Sequence, residues 1–145
     1  MQRVQIAVIC DDDLLPKYAT LNSSGADLMA AILEEMVVSP GKSALVPTGL
    51  FLEIPPGVEA QIRPRSGLAL KNQITVLNTP GTIDADYRGE IKVILINHGL
   101  EPFHIQPKMR IAQIVFASVI KAEFIQQENL ALSVRSGGGF GHTGV

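Results

Sequence analysis

Nine prolines, spread from Pro16 to Pro107, leave this chain of 145 residues little room for long helices. Proline has no backbone N–H and clashes with the preceding helical turn. Further breaks fall at Ser39-Pro40-Gly41, Pro55-Pro56-Gly57, Pro80-Gly81, His98-Gly99 and Gln106-Pro107-Lys108, a hairpin-like spacing. Between these breaks the chain reads as strands. Val58, Ala60 and Ile62 alternate with Glu59, Gln61 and Arg63, a period of two with one apolar face. Val4–Cys10, Ala44–Ile54, Ile74–Leu77, Ile91–Ile96, Arg110–Val119 and Glu123–Gln127 are short and rich in β-branched residues. One or two helical turns fit Ser66–Asn72, with Ser66 as N-cap, whereas Leu14–Asn22 reads as polar loop. About ten short strands and one short helix predict an all-β protein, a sandwich, jelly roll or distorted barrel. Runs such as Ile91–Ile96 are apolar on both faces, which predicts burial against another subunit.

Composition narrows the function classes. At this length a single domain buries roughly two-thirds of the surface that its unfolded chain exposes. Hydrophobic residues make up 46% and charged residues 18%, with a net charge of −2 and no long basic run. A sequence-independent nucleic-acid binder needs a cationic face, so no nucleic-acid partner is expected. Cys10 is the only cysteine and lies in an apolar run, which rules out a disulfide framework and suits a reducing, cytoplasmic setting. The start, through Asp11-Asp12-Asp13, has too short an apolar core for a signal peptide. The run Ile111–Ile120 is about half the length of a membrane-spanning helix, so no membrane association is expected.

Five polar or glycine-rich clusters interrupt the strand pattern. The last, Arg135 to Val145, holds Gly137, Gly138, Gly139, Gly141 and Gly144 around Phe140. It cannot build a core, so residues 135–145 read either as a disordered terminus or as an arm that wraps a ligand, with residues 1–134 as the domain proper. It is no Walker A loop, since Val145 stands where lysine is required. The first cluster is Ser23-Ser24-Gly25-Ala26-Asp27-Leu28. The second, Arg63-Pro64-Arg65-Ser66-Gly67-Leu68, enters the expected helix and reads as an ordinary cap or as an anion site. The third, Asn78 to Gly89, looks like a hairpin with Asp84 and Asp86 on one face, either a solvated acidic turn or a site. If one carboxylate is paired, by Arg88 or Arg110, the other is free to act as a base. Strand parity would then put Lys92 on the Asp84 face, and Tyr87 is an ordinary half-buried strand aromatic. The fourth, Arg110-Ile111-Ala112-Gln113, sets two polar side chains in an apolar strand, where each needs a partner. His98, His104 and His142 lack metal-ligand spacing.

Taken in order, these clusters resemble the five motifs of the homotrimeric dUTP pyrophosphatases (dUTPases), from about Tyr18 to the end of the chain. The resemblance implies a trimeric jelly roll with three active sites at subunit boundaries, each built from motifs of different chains. It implies hydrolysis of dUTP to dUMP and pyrophosphate, which keeps uracil out of DNA and supplies dUMP for thymidylate synthesis. Asp84 would be the general base for the water that attacks the α-phosphorus. Tyr87 would pack on the deoxyribose and exclude a 2′-hydroxyl. Asn78, Thr82 and Ile83 would read uracil, while Arg65, Ser66, Gly67 and Gln113 hold phosphate oxygens and Lys92 adds a substrate contact. Arg135, Phe140, Gly141, His142 and Thr143 would form the closing arm, with Phe140 over the base. Mg²⁺ would ride on the triphosphate, with Asp27 touching it through water only. Departures are small: Ser136 replaces a usual glycine, Ser24-Gly25-Ala26 varies the first motif, and His142 stands where serine is common. The related dCTP deaminases use a glutamate base and lack this Phe-Gly tail, and an idle binding module would lack the Asp84-type carboxylate.

The chemistry suits these residues. Attack beside a highly anionic chain requires neutralising charge, here Mg²⁺, Arg65 and Arg135. A pocket rejects thymine poorly by forgoing one methyl contact, worth about 1–3 kcal/mol, but a compact Thr79-Pro80-Gly81-Thr82 turn can collide with that methyl.

Overall fold

The structure, a computed structural model, describes residues 3–142. Its strands are β1 (Ala7–Ile9), β2 (Lys17–Tyr18), β3 (Ala26–Met29), β4 (Met36–Val38), β5 (Ser43–Glu53), β6 (Val58–Arg63), β7 (Ile74–Val76), β8 (Gly81–Ile83), β9 (Ile91–Asn97), β10 (Phe103–Ile105) and β11 (Arg110–Ser118). One helix, α1, spans Ser66–Asn72, and a 3-10 turn spans Asp12–Leu14. All pairings are antiparallel. A four-stranded sheet runs β1-β5-β9-β7, a five-stranded sheet runs β2-β3-β11-β6-β8, and β10 pairs with β4 as a ribbon. The jelly-roll reading holds, with open sheets rather than a closed barrel.

Period-two patterning explains the layers. Along β9, Ile91, Val93, Leu95 and Asn97 point inward while Lys92 is exposed and Ile94 and Ile96 are half-buried on the outer face. From the opposite sheet, Leu28, Ile62 and Ile114 enter the same core, joined by Val38 and Ile105 of the ribbon. Each such side chain, 2% exposed or less, contributes about 1.5–3 kcal/mol through burial. The buried Asn97 is fully used: its Nδ2 donates to Val38 O (2.9 Å) and Glu101 O (2.8 Å), and its Oδ1 accepts from Gly99 N–H (2.8 Å). It thereby ties the β9–β10 connection to β4. Among the described residues, no helix is long and apolar enough to cross a membrane.

Four expectations need correction. Residues 78–89 are not a hairpin, because β7 and β8 lie in different sheets and the intervening chain crosses between them. Ser66 is the first helical residue rather than the cap. That position belongs to Arg65, extended at φ −97°, with no side-chain cap bond. Within Leu14–Asn22, β2 forms because β3 offers it a backbone edge, pairing Lys17 with Asp27 and Tyr18 with Ala26. Glu123–Gln127 is not a strand, since among the described residues no strand pairs with it, and Phe124 is 95% exposed.

Candidate active site

Three of the five clusters meet at one cleft. The register of β11 sets Gln113 beside Asp27 of β3 on one side and Arg63 of β6 on the other. Arg65 lies two residues past the end of β6, after Pro64, and its side chain turns back over the same end of the sheet. Arg65 Nε lies 3.0 Å from Asp27 Oδ1, and Arg110 Nη1 lies 3.2 Å from Asp27 Oδ2. Arg65 Nη1 also donates to Arg110 O at 3.2 Å. Two guanidiniums about one carboxylate leave a net positive charge facing an open cleft of about 330 Å³, lined by Ser23, Ser24, Gly25, Ser66, Gly67 and Gln113 among others. Arg63 turns away, donating to Gln61 Oε1 at 2.6 Å through Nη2.

Gly25 gives the cleft its shape. A Cβ there would strike the Gln113 carboxamide, so the missing side chain leaves room for that amide. Gln113 Nε2 spends one hydrogen on Pro64 O at 2.9 Å and keeps a second N–H. A cleft rich in hydroxyls and arginine N–H groups, with an amide and net positive charge, is built to receive a polyanion.

Asp84 lies elsewhere. It follows β8, the edge strand of the five-stranded sheet, and is exposed. Flat-sheet reckoning along the β3-β11-β6-β8 register places it about 20 Å from Asp27, from three strand spacings and about four residues of rise. After Ile83 the chain turns, with Tyr87 N–H donating to Asp84 O at 3.1 Å. The expected cation partners are engaged elsewhere. Arg88 Nη1 donates to Ala85 O (2.7 Å) and Tyr87 O (3.1 Å), while Arg110 serves Asp27. Because residues 84–90 are loop, strand parity does not place Lys92 beside Asp84. Lys92 sits in the other sheet, 3.5 Å from Glu90 Oε2. Tyr87 is exposed and lies in the loop, not the half-buried strand aromatic expected, and its hydroxyl donates to Glu90 O at 3.0 Å.

Asn78 stands at the turn before β8, close to Gly81: a Cβ on Gly81 would lie 3.3 Å from Asn78 Nδ2. Thr82 and Ile83 belong to β8, which among the described residues pairs only with β6. Its outer edge therefore offers unpaired backbone donors and acceptors. The described part of the tail makes only local bonds: Arg135 Nε donates to Gly138 O at 2.7 Å and His142 N–H to Gly139 O at 3.0 Å. Phe140 is fully exposed, beside Gly141 at φ +88°. Thr143 lies outside the described residues. The sequence marks Arg110 both as a possible partner for the acidic turn and as a strand cation in need of a partner, without saying which. Its place beside Asp27, 83 positions away in the chain, has no local signal.

Comparison with known proteins places the chain in a family. Residues 12–144 match the dUTPase family model. The deoxyuridine 5′-triphosphate nucleotidohydrolase of Chlamydia pneumoniae is 58% identical over 144 residues, covering 97% of this chain and 99% of that protein. The protein of the same name from Gloeothece citriformis is 57% identical over 132 residues, covering 91% and 90%. The dUTPase of Staphylococcus bacteriophage 80alpha, solved with dUPNHPP, superposes with a TM-score of 0.88 at 24% identity over 97% of this chain and 99% of that one. A dUTPase variant from phage phi11 of S. aureus, described with a structural Mg(II) ion, superposes at 0.76 with 21% identity over 87% and 98%. The solved structures establish the shared fold, and the close curated relatives together with the family match establish kinship: this chain belongs to the dUTPase family.

Proposed function

We propose that this chain hydrolyses dUTP to dUMP and pyrophosphate at sites shared between the subunits of a homotrimer, with Asp84 as general base. The observation that carries this reading is that an arginine-rich anion cleft at β3 and an exposed carboxylate after β8 lie three strands apart in one sheet, a separation of about 20 Å by flat-sheet reckoning. The phosphates of one nucleotide cannot bridge that gap, and attack requires reacting atoms about 3–3.5 Å apart. A neighbouring copy that sets its Asp84 loop against this cleft closes the distance. One chain then supplies Arg65, Ser66, Gly67 and Gln113 to the phosphates. The other supplies Asp84 to the attacking water, Tyr87 to the deoxyribose, and Asn78 with the free edge of Thr82 and Ile83 to uracil. Arg135, Phe140, Gly141, His142 and Thr143 form the arm that closes over the nucleotide and excludes water.

Exposed apolar surface supports assembly. Ile120, Phe124, Leu130 and Leu132 are each at least 86% exposed. An apolar cleft of about 720 Å³ lined by Ile6, Val8, Tyr18, Leu52 and Phe116 among others offers such side chains a seat on a second copy. Outward on the four-stranded sheet, Leu45 (55% exposed) pairs in register with Ile94.

The donor set suits Mg²⁺ carried by the triphosphate. Among the described residues no three His, Cys, Asp or Glu side chains group to cage a metal, and both Asp27 oxygens already meet guanidiniums. Asp27 keeps lone pairs with which it would accept from the ion's hydration water, and the ion, when bound, would supply neutralising charge to the phosphates. Asp84 then takes the proton of the attacking water while Arg65 and Arg135 stabilise the charge that builds on the phosphates. Incubating the protein with dUTP and Mg²⁺ is expected to release pyrophosphate and dUMP. Release of ammonia would point to deamination, and no product would point to a binding module.

A further inference from the structure

The geometry points to Glu90 and Gly89 as positioning residues for sugar selectivity, holding Tyr87 where it rejects a ribonucleotide. This rests on the reading that Tyr87 faces the deoxyribose. Residues 84–90 bridge the two sheets, leaving the five-stranded sheet at Ile83 and entering the four-stranded sheet at Ile91. Glu90 anchors the far end of that bridge. Its Oε1 accepts the Gly49 N–H at 3.0 Å, and Lys92 Nζ lies 3.5 Å from its Oε2. Gly49, at φ +65°, sits in the register shift of β5 between Pro47 and Leu50, where an amide is freed from the ladder and requires a partner. Thr48 adds a second tie, its hydroxyl donating to Ile91 O.

The Tyr87 hydroxyl donates to the backbone oxygen of this clamped residue at 3.0 Å, which folds the ring back over Gly89. A methyl group on Gly89 would lie 3.0 Å from ring Cε2 and nearer still to Cζ and the hydroxyl. Gly89 is not among the glycines at positive φ, so backbone conformation does not demand it. What demands it is the ring. The tyrosine is thus held from below by a bare backbone and at its tip by a carbonyl whose own residue is fastened to β5. A wall that must feel a single 2′-hydroxyl has to be held this firmly, because a ring free to swing aside would admit the larger sugar.

The test compares kcat/KM for dUTP and UTP in the full-length assembled protein, with unfolding midpoints as controls. Gly89→Ala, Glu90→Ala and Tyr87→Phe are each expected to lower the dUTP/UTP ratio by on the order of tenfold, while Glu90→Gln, which keeps the acceptor for Gly49, restores most of it. Tyr87→Ala is run alongside. If it leaves the ratio unchanged, the placement of Tyr87 on the sugar is wrong. If it collapses the ratio while Gly89→Ala and Tyr87→Phe preserve it, the placement stands and the positioning roles are overturned. Should Glu90→Ala fail to fold, Gly89→Ala and Tyr87→Phe still decide the matter.

Discussion

A subunit-mixing experiment tests the two-chain site directly. Asp84→Asn disables the proposed base, and Arg65→Ala removes the guanidinium 3.0 Å from Asp27 in the cleft. Each homotrimer should be nearly inactive. When the two chains are unfolded together in equal amounts and refolded, a site is intact only if its Asp84 comes from an Arg65→Ala chain and its Arg65 from an Asp84→Asn chain. Random assembly into a closed ring makes that fraction roughly one quarter. Pyrophosphate release per chain should therefore recover to about a quarter of the wild-type rate. The control places both substitutions in one chain and mixes it equally with wild type. A site drawn from two chains predicts roughly one quarter of full activity, whereas a site within one chain predicts roughly one half. Recovery no greater than that of the parents in the first mixture, with half activity in the second, would refute the assignment and the distance argument behind it.

Three further outcomes follow. Asp84→Asn should lower kcat by about 10²–10⁴-fold while leaving the Kd for a non-hydrolysable dUTP analogue within a few-fold, since a general base acts in the transition state. Isothermal titration and single-turnover kinetics separate the two effects. Removing residues 135–145 should shift stability by no more than about 0.5 kcal/mol, because the described tail residues bury nothing, yet it should cripple turnover. Thermal unfolding and steady-state assays check both. Hydrogen bonds from His104 (2.8 Å) and then Gln106 hold the Glu35 carboxyl below its ordinary value. A depressed carboxylate contributes stability that is present above its unfolded value and lost as pH falls through the folded one. Glu35→Gln should accordingly flatten the acid limb of the unfolding curve below about pH 4.5, and an unchanged limb would count against the contact.

Elements whose determinants are local were readable. Helix α1 lies between breakers and spans the residues expected of it, and the alternation over Val58–Arg63 became β6 with its inward residues at Ala60 and Ile62. The short strands β1 and β7 fall within runs read as strands, but β2, β4, β8 and β10 were not readable, because each exists only where another strand's backbone offers it an edge. The acidic turn shows the same limit. Treating Asp84 and Asp86 as one strand face assumed that period two continued past Ile83, where the chain instead turns to reach the other sheet. The motif residues were visible as polar interruptions, but the pairing of Asp27 with Arg65 and Arg110 joins three separate segments. No single window of sequence contains that ion cluster. Glu90 left no trace, since its partner at Gly49 lies 41 positions earlier.

Seven large apolar side chains between Val119 and Val134 meet water in the solitary chain. In the proposed homotrimer such a surface ties output to abundance. Below the dissociation constant of a three-chain assembly, the working fraction falls as a steep power of total protein, so halving expression removes far more than half the activity. Chains stranded in that regime display the sticky strap that promotes clumping, and gene dosage becomes a second determinant of how much substrate the cell can clear.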